Sequence, residues 1–236
     1  MIQLTELQFF ATPEHDCSYL TGLKAKTLFI DPNDKIEQQV YTQLSELGFR
    51  RSGRHIYRPH CDSCQACISI RLPVRLFKMS KSQKRVMNKN RDLIISRVQP
   101  QYTDEYYQLY QEYIQIRHVD GDMYPPSKDQ FTSFLVESSQ QSCFYEFRQP
   151  NGKLVAVANV DILQGALSAV YTFFDPHLAK RSLGSFAILW QINEVQRLKL
   201  DYLYLGYWVE NCQKMKYKTD YRPMQLLING KWLLAQ

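Results

Sequence analysis

The chain has 236 residues, 44% hydrophobic and 22% charged, a balance that excludes a disordered tail and a small disulfide scaffold. Lys and Arg number 29 against 23 Asp and Glu, a formal charge of +6. The excess is concentrated between Arg71 and Arg97, where Asp92 is the one acid, and such a field suits a polyanion.

The first residues, MIQLTELQFFATPEHDC, carry no basic stretch followed by a long apolar one, and no run of about 18 apolar residues occurs anywhere. A cytoplasmic chain without a membrane partner is expected, with its six cysteines as thiols or metal ligands rather than disulfides. Ile36, Val40, Leu44 and Leu47 then recur at helical spacing before Gly48, with Asp34 and Glu37 placed as a capping-box-like start. Residues 49–59 read as extended and 68–74 as a strand, with a cysteine cluster between them. Ser80 and Gln83 fit a capping box opening a basic helix.

Tyr106, Leu109, Tyr110, Tyr113 and Ile114 mark a further helix, residues 117–126 an irregular loop, and Ser127 and Gln130 the cap of another helix with Phe131, Phe134 and Leu135 inside. The strings CFYEFRQ, LVAVANVDI and ALSAVYTFF predict an antiparallel meander, with Pro150-Asn151-Gly152 as its first turn. Residues 182–199 predict a helix and 202–207 a returning strand, an α/β or α+β acyltransferase-like layout in two subdomains.

Four constellations carry chemistry. Cys61, Cys64 and Cys67 in CDSCQAC point three thiols into one loop; with Cys17, or else His60 or His15, they complete a zinc or iron–sulfur site, and without it they are reduced thiols in a turn. Arg181-Ser182-Leu183-Gly184-Ser185 stands at a helix start, where free N–H groups suit a phosphate, and its Arg-x-x-Gly spacing resembles the phosphate-gripping turn of GNAT-like acyltransferases. The helix bearing Lys81, Lys84, Arg85, Lys89 and Arg91 lacks acidic (i, i+4) partners, which favours a tRNA contact over a merely soluble face. After a Gly206-Tyr207-Trp208 turn, Lys214, Lys216, Tyr217 and Lys218 form a basic, aromatic loop able to close over a ligand.

These residues resemble the bacterial aspartate/glutamate leucyltransferases, relatives of the arginyl-tRNA–protein transferases. The resemblance runs through CSYL at Cys17, GFRRSGRHIYRPHCDSCQACISIRLPV from Gly48, SKSQKRVMNKNRDL from Ser80, RHVDGDMYPPS from Arg117, LSAVYTFFDP from Leu167, RSLGSFAILWQI from Arg181, and LYLGYW with KMKYK. It implies an α+β, GNAT-like domain over residues 76–236 with a smaller cysteine-bearing subdomain over 1–75. It also implies transfer of leucine, or alternatively arginine, from aminoacyl-tRNA to the N-terminal amine of proteins beginning with Asp or Glu. No cofactor is required for such a transfer, and DNA is not expected as a partner. Eukaryotic members linked to an iron–sulfur cluster carry CxxC at the first cysteine site, where this chain has Cys17 and Leu20.

For the chemistry, the resemblance points to a backbone N–H of the strand from Tyr171 to Phe174 facing the carbonyl, with Tyr171 or Asp175 handling protons. Arg75, Arg117 and His118 stand in the matched motifs as readers of the acceptor carboxylate, for which a guanidinium offers a bidentate fork. Two readings from other classes are a metal-dependent RNA-binding module and a coenzyme A-dependent acyltransferase.

Overall fold

The computed structural model describes residues 4–235 as an α+β arrangement around an eight-stranded mixed sheet. A 3-10 turn (Leu4–Glu6) precedes β1 (Phe9–Ala11), β2 (His15–Asp16), β3 (Lys24–Ala25), β4 (Thr27–Ile30), α1 (Gln38–Glu46), β5 (Arg50–Ser52), β6 (His55–Pro59) and β7 (Ile68–Pro73). Then come α2 (Lys81–Lys89), β8 (Ile94–Val98), α3 (Asp104–Arg117) and α4 (Lys128–Phe131), which runs into a π turn (Thr132–Val136). The meander is β9 (Ser142–Arg148), β10 (Leu154–Leu163) and β11 (Ala166–Phe174). A 3-10 segment (Pro176–Arg181), α5 (Leu183–Arg197), β12 (Tyr202–Trp208), a second 3-10 segment (Gln213–Asp220), β13 (Met224–Ile228) and β14 (Lys231–Ala235) complete the chain.

The large sheet runs β14-β13-β7-β12-β11-β10-β9-β8, with β11 and β12 parallel. The expected meander, helix and returning strand are therefore all present. β7, on the N-terminal side of the division at residue 75, is a strand of this sheet, between β12 and β13. A separate four-stranded sheet, β1-β4-β6-β5, and the β2-β3 pair make up the remaining N-terminal strands.

Local signals explain several boundaries. The Ser80 hydroxyl accepts from the Gln83 N–H (3.2 Å) while the Gln83 side chain accepts from the Ser80 N–H (2.9 Å), the reciprocal cap that opens α2. The expected cap at Asp34 and Glu37 does not form: α1 begins at Gln38, and Glu37 makes no side-chain cap bond. Gly206, Tyr207 and Trp208 are strand rather than turn; Gly206 takes φ +78° where the β12–β7 register breaks, a conformation that favours glycine.

Side chains alternate across the sheet. Cys143, Tyr145 and Phe147 of β9 join Leu183, Phe186, Leu189 and Ile192 of α5 on one face, with α2 packed at its rim. Phe144, from the opposite face, packs with α3 and α4. On that same side Tyr204 and Leu163 meet α1 and the N-terminal sheet.

A charged cluster bolts the N-terminal sheet to the large one. The Arg51 guanidinium on β5 donates to both carboxylate oxygens of Asp161 on β10 (2.7–3.0 Å), and Tyr41 of α1 donates to Oδ2 at 2.6 Å. Both charged side chains are fully buried. Arg51 also donates to the Gly53 carbonyl at 2.9 Å.

A second buried cation holds the 213–220 segment. Lys218 Nζ donates to the Tyr207 carbonyl at 2.5 Å, and burial, reinforced by the Arg50 guanidinium, pushes its pKa down to about 7. Between about pH 7 and 10.5 the native amine is neutral while the unfolded chain still binds the proton, so this group makes stability rise with pH across that window. Denaturant titrations at pH 7, 8 and 9 should show that slope, and Lys218→Met should flatten it. Arg51→Met strands the Asp161 carboxylate in the core and should cost about 3–5 kcal/mol in the same assay.

Candidate active site at the splayed end of the central sheet

β11 and β12 pair over Ala166–Ser168 and Tyr202–Tyr204, and then diverge. From Ala169 to Phe174, β11 keeps β10 on one side, while its other backbone edge has no strand partner among the described residues. Such an edge presents N–H groups to a ligand. Tyr171 and Phe174 lie on this free length, so the strand expected to face the carbonyl occupies the opened end.

The C-terminal turn of α3 borders the opening. Tyr113 is packed on Phe174 (ring centroids 4.7 Å apart), on Tyr171 (6.4 Å) and on His118 (5.0 Å). Burial, together with Tyr113, Tyr110 and Tyr217, holds the Tyr171 hydroxyl protonated far above the ordinary tyrosine range. His118 caps α3 and is half-buried. Burial and the nearby Lys214 and Arg117 cations push its pKa below the usual imidazole value. Lys214, from the 213–220 segment, pairs with Asp120 at 3.0 Å. Arg117 is exposed and pairs with no carboxylate among the described residues.

The structure thus brings Tyr171, Arg117, His118 and Lys214 near one another around Tyr113, whereas sequence reasoning groups Arg117 and His118 with Arg75 as acceptor readers and leaves Tyr171 and Lys214 to other roles. It missed Tyr113, read there as an ordinary helix residue, although its ring joins His118 to β11. Other candidates stand elsewhere. Arg75 follows β7 at the paired end of the sheet, exposed and bonded to Asp201 (2.9 Å), because β7 runs antiparallel to β12. Asp175 is buried, caps the 176–181 segment through the His177 N–H (3.0 Å) and pairs with Lys153 (2.8 Å), so its carboxylate is engaged in structure.

The start of α5 also reaches this end. A Cβ on Gly184 would lie 3.0 Å from the Phe174 ring, so glycine here lets the first helical turn pack on β11. Ser182 is exposed, takes φ +53° and makes no side-chain cap bond; Ser185 is exposed as well. Arg181 is drawn to the side, bonded to Asp92 and to the Lys89 carbonyl (3.4 Å). Lys89 in turn donates to the Lys180 carbonyl at 2.6 Å, which fastens α2 against the turn before α5. Lys81, Lys84 and Arg85 are exposed, and no carboxylate pairs with them among the described residues. Gln83 of α2 donates to the Asp220 carbonyl (2.9 Å), tying the basic helix to the segment that carries Lys214 and the exposed Lys216 and Tyr217.

Cys17, Cys61, Cys64 and Cys67 line a cavity of about 650 Å³ together with His15, His60, Asp122 and Tyr207. Burial and the neighbouring thiols push Cys67 up to about 12. A four-thiol wall is the soft donor set that zinc or an iron–sulfur cluster takes. Among the described residues, however, no three His, Cys, Asp or Glu are grouped closely enough to hold one ion. Cys143 and Cys212 are buried free thiols.

Among the described residues, no helix is long and apolar enough to cross a membrane. Residues 15–85 match the family described as arginine-tRNA-protein transferase, N terminus, and residues 105–228 the C terminus of the same family. An aspartate/glutamate leucyltransferase of Pseudomonas fluorescens (strain Pf0-1) is 55% identical over 234 residues, and one of Stutzerimonas stutzeri (strain A1501) is 54% identical over 233; each alignment covers 99% of both chains. Among solved structures, L-PGS from Bacillus licheniformis overlaps 60% of this chain and 45% of its own, at 12% identity and a TM-score of 0.47. The C-terminal domain of a putative lysylphosphatidylglycerol synthetase from Agrobacterium fabrum overlaps 70% and 50%, at 14% identity and a TM-score of 0.45. The family matches span both the cysteine-lined cavity and the splayed strands, and the chain belongs to the arginine-tRNA–protein transferase family as an aminoacyltransferase.

Proposed function

We propose that the chain moves leucine from leucyl-tRNA to the α-amine of proteins that begin with Asp or Glu, a reading supported by relatives named aspartate/glutamate leucyltransferase and by the tRNA–protein transferase family it belongs to. The observation that carries this reading is the exposed Arg117 guanidinium beside His118 and the Lys214–Asp120 pair, at the end of the sheet where β11 offers a free backbone edge. An acceptor carboxylate suits that cationic rim, since a planar guanidinium meets it with two parallel hydrogen bonds.

The reaction is aminolysis of an ester: the acceptor nitrogen attacks the aminoacyl carbonyl and the ribose oxygen leaves. Its demands are alignment of the two reactants and stabilisation of the oxyanion. Unpaired N–H groups of β11 beyond Ser168 supply the second. The donor's phosphates suit Lys81, Lys84, Arg85 and Lys89 on α2, with Lys214 and Lys216 leading from that helix to the opening. Gly184 and Ser185 add the free N–H groups of the α5 start and Ser182 its exposed hydroxyl, the Ser182 N–H being held by the Ala179 carbonyl, while Arg181 positions that turn through Asp92.

Labelled leucine and, separately, labelled arginine offered as charged tRNA to peptides starting with Asp, Glu or Ala test the assignment. Leucine should appear on the Asp and Glu peptides alone; arginine in its place would make this the sister activity. Arg117→Ala should lower kcat/KM for the Asp peptide by roughly 10- to 100-fold, the worth of a charged hydrogen-bonded contact, with tRNA affinity unchanged. Charge reversal at Lys84 and Arg85 together should weaken tRNA binding and reduce its salt dependence without altering acceptor preference.

A further inference from the structure

We infer that His118 is the general base of the transfer, taking a proton from the acceptor's α-ammonium group, rather than a reader of the acceptor carboxylate. The inference rests on the transfer reaction proposed above.

Three features of its surroundings point there. The imidazole is held by the last turn of α3 and by the Tyr113 ring at 5.0 Å, and that ring also lies against Phe174 and Tyr171, so His118 stands one side chain away from the free edge of β11. The groups facing it are of mixed sign but mostly cationic: Arg117 from its own helix, Lys214 from the 213–220 segment, and Asp120 from the loop, already paired with Lys214 at 3.0 Å. Two cations and partial burial keep the ring neutral at pH 7, which suits a proton acceptor and is the wrong state for binding a carboxylate by charge. Arg117 is the better carboxylate reader, and it lies next in the chain. A carboxylate bound there brings the α-ammonium of the same residue towards the imidazole.

The step balances as follows. The α-ammonium gives one proton to His118, which passes it to solvent. The freed nitrogen lone pair forms the C–N bond to the aminoacyl carbonyl. As the tetrahedral intermediate collapses the ester C–O bond breaks, and the second nitrogen proton leaves with the ribose oxygen as its hydroxyl. No oxidant, reductant or further reactant is needed.

An α-amine has a pKa of about 7.7–8.0, so without the base only the amine already neutral in solution reacts, roughly one molecule in twenty at pH 6.5 and nearly all at pH 9. Assistance by a positioned base as the nitrogen attacks is worth about 100-fold or more, so His118→Ala should lower kcat/KM for Asp and Glu peptides by about 100-fold at pH 6.5 and by a much smaller factor at pH 9, where the acceptor arrives already neutral, with His118→Gln behaving alike and added imidazole restoring part of the loss in the alanine variant at low pH. A defect of equal size at both pH values, or one confined to KM for the Asp and Glu peptides, would overturn the assignment in favour of packing or carboxylate recognition. Glutamine at 118 keeps a polar side chain against Tyr113 and covers the case in which alanine loosens the turn. Failure of the unaltered protein to transfer leucine at any pH would instead count against the underlying reaction, so the two failures are distinct.

Discussion

The Arg51–Asp161 pair is the constraint on which the rest of the arrangement depends. Two fully buried charges are tolerated only when their hydrogen-bonding capacity is filled by partners of the right geometry. Here the requirement is met by three segments at once: β5 supplies the guanidinium, β10 the carboxylate and α1 the Tyr41 hydroxyl. The four-stranded sheet is thereby fixed in position against the large sheet, beside α3 rather than on the α5 side. Hydrophobic contact alone would favour association of the two layers without dictating where one sits on the other. A forked donor matched to one carboxylate does dictate it.

With that layer fixed, the opened end of the large sheet acquires two walls. α3 stands on one side, and the cysteine-lined cavity, with Tyr207 and Asp122 among its lining residues, extends from the other. The 213–220 segment links them, held to β12 by the Lys218 amine and to α2 by Gln83. The basic helix and the cationic opening are therefore connected by a short stretch of backbone. That suits a reaction whose two substrates differ so much in size.

Much of this was legible in the sequence, where the signals are local. The capping box at Ser80, the β9–β11 meander and the helix before β12 follow from turn residues and periodicity within windows of about ten residues, and the motifs that resemble the family name Arg117 and His118 as acceptor readers and Tyr171, separately, as a proton handler. What was not legible depends on long-range pairing. No pattern in residues 68–73 tells that they will lie between two strands from the far end of the chain, β12 and β13, so Arg75 looked like a partner of Arg117 although the sheet sets them at opposite ends. Asp175 shows the same limit on a smaller scale: a carboxylate after a strand reads as chemistry until Lys153 and the His177 N–H are seen to hold it. The three-residue spacing of the cysteines suggests thiols turned towards one metal ion; that they line a cavity shared with His15, Asp122 and Tyr207 depends on pairing far along the chain and is not written in that spacing.

The place of β7 has a further consequence for how the chain reaches this state. β7 forms antiparallel ladders with β12 on one side and β13 on the other, so its two neighbours are among the last strands to be synthesised. On the ribosome, residues 68–73 would emerge early and wait, apolar and unpaired, while α2, α3 and the meander form. The loop closed by pairing β7 with β12 encloses most of the second half of the protein, and contacts of such separation are slow to form. Folding is thus expected to finish at the middle of the large sheet rather than at its edges, and the site at its splayed end is complete only after that last insertion.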